Sequence, residues 1–256
     1  MQRPRLLLVP SFTELEWGIR AQLEEWADVA SFDMPGVGDE RLPDGVGPNP
    51  RPAPELVGRW RRAASDRALE EPIRRGWDRF FLVTDLRGVA TAVGAAARRP
   101  RAVQGLAIGH AALSKATEGA RPPERAGIWD ALAQLAKQGN ETFVRHGIAQ
   151  ATRGGLDEAT ARQMIERFPD MRLVSAMIEA LGREPEPIGD QLATLDLPLL
   201  LAKHEGCLGS TDEGFEDIVA AFPRAETVIC HETCSSSPAF ADAIRRFCER
   251  VSERRG

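Results

Sequence analysis

The feature that most constrains this fold is an alternation of short, continuously apolar runs with longer segments of helical periodicity. "RLLLVP" (5–10), "DVASF" (28–32), "RFFLVT" (79–84), "VQGLAIG" (103–109), "LPLLLAKH" (197–204) and "ETVICH" (226–231) are the short runs. A strand wetted on one face alternates apolar with polar residues, whereas a continuous apolar run fits a parallel strand covered on both faces. Helical segments lie between them. Residues 18–27 carry Ile19, Leu23 and Trp26 at helical spacing, and 54–75 carry Leu56, Trp60, Ala64 and Leu69. Further helices are predicted over 89–99, 212–222 and 238–252. Such alternation implies an α/β fold: a mostly parallel sheet with helices on both faces.

From 113 to 188 the pattern is helical only, as in "IWDALAQLAKQ", "ETFVRHGIAQAT", "DEATARQMIERF" and "RLVSAMIEAL", with Asp157 a natural N-cap for the third. Breaks fall at Pro122-Pro123, Gly139, Gly154-Gly155, Pro169 and Pro185-Glu186-Pro187. The division predicted is a core of 1–112 and 189–256 interrupted by an all-helical cap, 113–188. An insert between two sheet strands is well placed to cover the cleft at their C-terminal edge, where open α/β sheets bind ligands. Trp129, Phe143, Met164 and Phe168 read as core or pocket-lining residues of that cap, and His146 lies within it.

Charge and composition remove several partners. A net charge of −5 and an isoelectric point near 5.6 give no bulk attraction to nucleic acid or an anionic membrane. The first apolar run, 6–10, is too short for a secretion signal or a spanning helix, so a soluble, cytoplasmic protein is expected. Of the four cysteines, at 207, 230, 234 and 248, the pair Cys230 and Cys234 would need a second pair or nearby histidines for a zinc site, and only Cys207 with His204 comes close. Reduced thiols are expected instead, with no metal and no cofactor.

Four stretches carry a resemblance. "FDMPGVGDE" places Asp33, Pro35, Gly36 and Gly38 in a D-x-P-G-x-G turn, with Glu40 where a Ser would complete it. "LVTDLRGVATAVGAAARRP" runs from strand through a tight turn into an Ala-rich helix. "LPLLLAKHEGCLGSTDEGFEDIVAAFP" is strand, loop and helix, and "SPAFADAIRRFCERV" is a closing helix. In this order they resemble the α/β-hydrolase superfamily with a helical cap, over nearly the whole chain. The resemblance implies a nucleophile at the strand-to-helix elbow, an acid after the penultimate strand and a histidine after the last.

None of the three is where it should be. The elbow needs small residues two places either side of its apex. Leu86 at the apex has Thr84 and Gly88 there, whereas Asp85 would have Val83 and Arg87. Leu86 is therefore the elbow residue, and it has no lone pair with which to attack a carbonyl. The acid position falls on Cys207. The histidine position falls on Ser235 counted from Pro223, or on His231 counted back from Pro238.

Other chemistry stays open. Asp85 could be a displaced carboxylate nucleophile, or a polar residue on the shoulder of the turn. Arg87 could hold an anion or face solvent. Cys207 could be a thiolate nucleophile if His204 or His231 stabilised it. His231 beside Glu232, and His204 beside Glu205, stand at strand ends where an imidazole could serve as acid or base. His110 follows strand 103–109 at the same edge. Ser11 follows the first strand, where the family has its oxyanion loop, and the resemblance gives the backbone N–H groups of Phe12 and Arg87 as oxyanion donors. The expected function is thus a pseudo-hydrolase that binds a small, largely apolar molecule under the cap. The rival is an enzyme working by non-serine chemistry: an isomerase, lyase, cyclase, or hydrolase using Asp85 or Cys207. A small-molecule ligand is the expected partner, with a homodimer left open.

Overall fold

The computed structural model describes residues 3–11, 14–41, 54–85, 88–111, 158–167, 188–205 and 212–254. Six strands are present among them: β1 (Arg5–Val9), β2 (Asp28–Ser31), β3 (Phe80–Asp85), β4 (Val103–Gly109), β5 (Leu199–His204) and β6 (Glu226–Cys230). They form one sheet in the order β2-β1-β3-β4-β5-β6, and every pairing is parallel. The helices are α1 (Arg20–Glu24), α2 (Pro54–Arg74), α3 (Val89–Arg98), α4 (Glu158–Arg167), α5 (Ile188–Ala193), α6 (Asp212–Ala221) and α7 (Pro238–Glu253). Among the described residues no helix is long and apolar enough to cross a membrane.

The continuous apolar runs are explained by what lies above and below the sheet. Leu7 and Val9 of β1, with Phe80 and Leu82 of β3, face a core shared with Trp60 and Ala64 of α2 and Ala92 and Val93 of α3. Leu6, Leu8, Phe81 and Val83 face the opposite way, onto Leu23 of α1 and Phe240, Ile244 and Phe247 of α7. Successive side chains of a strand point to opposite faces, so both sets must be apolar when both faces are covered. Leu6, Leu7 and Leu8 are each fully buried, and each such leucine contributes roughly 2 kcal/mol of apolar burial.

The six strands and the helices read over 18–27, 54–75, 89–99, 212–222 and 238–252 are present in the same order, with ends displaced by up to three residues, while the cap helices read in "IWDALAQLAKQ", "ETFVRHGIAQAT" and "RLVSAMIEAL" lie outside the described residues. One shift matters. β3 continues through Asp85, which pairs in register with Gly109, rather than ending at residue 84. One helix was not foreseen. "IGDQLA" makes the single short helix α5, which packs against α3 where the chain returns to the sheet. Six residues are too few to display a period. Of the predicted cap, α4 matches the segment "DEATARQMIERF", and Asp157, Trp129, Phe143, His146 and Phe168 lie outside the described residues, as does the side chain of Met164.

Candidate functional site

Chain order and sheet order diverge at one place. The chain steps from β1 outward to β2, then crosses back to lay β3 on the other side of β1. In open α/β sheets ligands bind at such a switch point, outside the C-terminal ends of the two strands. Ser11, just beyond β1, and Asp85, at the end of β3, face each other there. Ser11 Oγ lies 2.9 Å from both carboxylate oxygens of Asp85 and donates to them. The Gly88 amide also donates to Asp85 Oδ1, at 3.2 Å. A carboxylate at the start of α3 suits the unpaired N–H groups and the positive end of the helix dipole.

The bend between β3 and α3 is clamped to β1. Thr84 Oγ1 donates to the Val9 carbonyl at 3.1 Å. A β-carbon on Gly88 would lie 2.4 Å from Thr84 Oγ1, 2.8 Å from the Val9 carbonyl oxygen and 2.9 Å from that of Pro10. Only glycine fits at this point. A small residue is what the reading with Leu86 at the apex expects two places on. Leu86 and Arg87 lie outside the described residues, as do Phe12 and Cys207.

Two further pairs stand along the same edge. His110 follows β4 with φ 51, the left-handed region, where a non-glycine residue carries strain of about 1 kcal/mol. Its ring meets that of His204, at the end of β5, edge to face with centroids 4.7 Å apart. Next along, His231 Nδ1 is 3.0 Å from Glu205 Oε2. This pair is solvated, the side chains being 83% and 62% exposed. The hydrogen bond that the ring donates to Glu205, reinforced by the carboxylate's charge, raises the His231 pKa above the ordinary imidazole value.

Sheet order separates these groups. Asp85 on β3 and His231 beyond β6 are three inter-strand steps apart, on the order of 14 Å at the usual spacing. A nucleophile and its base need hydrogen-bond contact. His231 follows β6 directly, with no intervening loop to carry it across. Ser235, four residues on, sits in the 3-10 turn Cys234–Ser236, and its carbonyl accepts the Ile19 amide at 3.1 Å. The partners of Glu205 and His231 were matched differently in sequence, where each histidine was set beside the glutamate that follows it. The structure pairs them across β5 and β6.

A third feature escaped the sequence reading. Arg167, at the end of α4, reaches the turn after β2: its Nη1 is 2.6 Å from Asp33 Oδ2 and 3.2 Å from Glu14 Oε1. The Arg167 carbonyl also accepts the Gly38 amide at 2.7 Å, and Asp33 Oδ1 accepts the Glu14 amide at 3.0 Å. The D-x-P-G-x-G turn thereby serves as the seat for the end of α4. An isolated arginine at the end of a predicted helix gives no sequence signal of its destination. Among the described residues there is no cluster of three or more His, Cys, Asp or Glu side chains able to hold a metal ion.

No protein-family profile and no curated protein matches this sequence. Solved structures do match it in shape. A thermophilic esterase from Thermogutta terrifontis superposes with a TM-score of 0.69 at 18% identity, over 97% of this chain and 90% of that one. A loop variant of a haloalkane dehalogenase from Bradyrhizobium elkanii gives 0.71 at 16% identity, over 100% and 93%. A hydrolase from Oleispira antarctica gives 0.69 at 10% identity, over 97% and 92%. With the parallel sheet, its switch point and the clamped elbow, these matches identify the architecture: the chain has the α/β-hydrolase fold.

Proposed function

We propose that this protein uses the α/β-hydrolase scaffold to bind a small, largely apolar molecule beside the β1–β3 crevice, without Ser–His–Asp catalysis. The observation that carries this reading is the clamp at Gly88. It supports the elbow register in which the sequence has leucine at the position of the nucleophile. Asp85, the neighbouring reactive group, has its carboxylate engaged by Ser11 and by the Gly88 amide, which supports a structural role on the shoulder of the turn. The backbone donors at 12 and 87 would remain for one polar atom of the ligand.

A fluorophosphonate probe separates this reading from serine chemistry: the protein stays unlabelled, and a turnover assay on short aryl esters stays at background. Thermal shift against aryl esters and the corresponding acids then reports binding, with an unshifted Tm across the panel counting against the proposal. Labelling at any serine would overturn it.

The second reading is an enzyme acting by non-serine chemistry, favoured by the His231–Glu205 pair. A carboxylate that hydrogen-bonds an imidazole and raises its pKa makes a competent proton carrier. Its exposure and its distance from the crevice weigh against it, since general acid–base groups act on substrate within hydrogen-bond reach. Turnover that disappears in His231→Ala, with folding intact, would favour this reading over the first.

A further inference from the structure

The segments that follow β1 and β2 are joined to α4 by charge. Asp33, beyond β2, engages through both carboxylate oxygens: Oδ1 accepts the Glu14 amide at 3.0 Å, and Oδ2 receives Arg167 Nη1 at 2.6 Å. Arg167 Nη1 also reaches Glu14 Oε1, at 3.2 Å. The other Glu14 oxygen accepts the Ser31 hydroxyl at 3.0 Å, and Ser31 Oγ in turn accepts Arg20 Nη1 at 2.7 Å. One guanidinium at the end of α4 is thus held between two carboxylates on separate segments. The turn is shaped for this. Gly38 has φ 61, and a β-carbon there would lie 2.4 Å from Asp33 Oδ2, the oxygen that receives Arg167. The Gly38 amide donates to the Arg167 carbonyl at 2.7 Å. Among the described elements none lies broadly against α4, so its C-terminal end is its described point of attachment.

We propose that Arg167 is a salt-sensitive latch: closed, it docks the end of α4 on Asp33 and Glu14, and open, it lets α4 leave as a local unit while the sheet stays folded. Its groups are neither deep in the core nor fully wetted, the side chains being 34% exposed for Arg167, 11% for Asp33 and 29% for Glu14. Partly exposed pairs attract modestly and are weakened by dissolved salt. The sheet, by contrast, is held by apolar burial on both faces, so the latch opens well before the whole molecule unfolds. Opening has an electrostatic cost as well. Without Arg167, Asp33 and Glu14 are neighbouring carboxylates that repel each other, with Arg20 at 3.6 Å from Glu14 Oε2. Glu14 stands three residues beyond Ser11, so opening also frees one anchor of the segment that leads out of β1. A link between α4 and occupancy of the site rests on the ligand reading above; the latch itself does not.

Hydrogen exchange followed by NMR tests the latch without any ligand. The Gly38 amide reports on it, because its acceptor is the Arg167 carbonyl, and the amides of Leu7 and Leu82, on paired strands, report on the sheet. Raising sodium chloride from about 0.01 M to about 1 M shortens the screening length from roughly 30 Å to roughly 3 Å. Gly38 exchange should then quicken about five-fold, with Leu7 and Leu82 unmoved. In Arg167→Met, Gly38 should exchange fast at both salt concentrations. Arg167→Lys keeps a charge and should restore part of the protection together with its salt dependence, which packing alone would not. Gly38 exchange that ignores salt in the unaltered protein would overturn the proposal, whether or not Arg167→Met folds. Protection unchanged in Arg167→Met would do the same, as would Gly38 exchanging only as slowly as the sheet amides.

Discussion

The hydroxyl of Ser11, just beyond β1, donates to both carboxylate oxygens of Asp85, at the end of β3. Ser11 is only 3% exposed, so its hydroxyl is held away from bulk water. Ser11→Ala would remove the hydroxyl donor from the carboxylate. Because hydrogen bonds to charged groups contribute about 1.5–3 kcal/mol, the variant should melt roughly 3–8 °C below the parent. Calorimetry checks this, and an unchanged Tm would show that the bond is not formed in solution.

Gly88 and Gly58 should respond to alanine with opposite signs. At Gly88 the new methyl would run into two backbone carbonyls that cannot rotate away, so Gly88→Ala should cost about 3 kcal/mol or more. At Gly58, in α2, nothing lies within 4 Å of the added carbon, and Gly58→Ala should stabilise by roughly 0.5–1 kcal/mol through helix propensity. Denaturant midpoints of the two variants decide the matter.

Glu71 gives the fold an acid-sensitive point. Its side chain is 1% exposed, with Arg74 at 2.5 Å and Arg75 at 2.6 Å. Burial pushes the carboxyl pKa up, but hydrogen bonds and charge from Arg75 and Arg74 outweigh it and hold the value below the ordinary carboxylate range. A depressed folded-state pKa means stabilisation that is complete above the unfolded value and fades as pH falls through the folded one. Glu71→Gln should therefore be less stable than the parent at neutral pH, by on the order of 1–2 kcal/mol given partly solvated guanidinium partners. The two proteins should converge in acid, as parallel chemical denaturations across pH would reveal.

His231 should titrate above a free imidazole, because Glu205 favours its charged form. The sign is opposite to that of Glu71: the contribution is present below the ordinary histidine pKa and lost as pH rises through the elevated one. For so solvated a pair the effect on stability is small, so the useful readout is the imidazole resonance itself. In Glu205→Gln the NMR titration midpoint should fall back toward the ordinary value.

How far the sequence speaks depends on the kind of interaction. Leu6–Leu7–Leu8 and Phe80–Phe81–Leu82 announced strands covered on both faces because burial on two sides demands an unbroken apolar run. Gly88 announced the bend because steric exclusion leaves one residue type. Partner choice was less legible. His231 lies next to Glu232 in the chain, but strand pairing brings Glu205 to it, since the β5–β6 register sets His204 opposite Cys230. Arg167 lies 134 residues from Asp33, and no local period records such a contact.

The clamp around Gly88 has a consequence for how reactivity could be altered. Among the described residues, the contacts that hold Gly88 come from the Val9 and Pro10 carbonyls, Thr84 and the Asp85 carboxylate. Any change of reactivity near this junction therefore has to leave Gly88 untouched, since a side chain there would collide with the neighbouring strand.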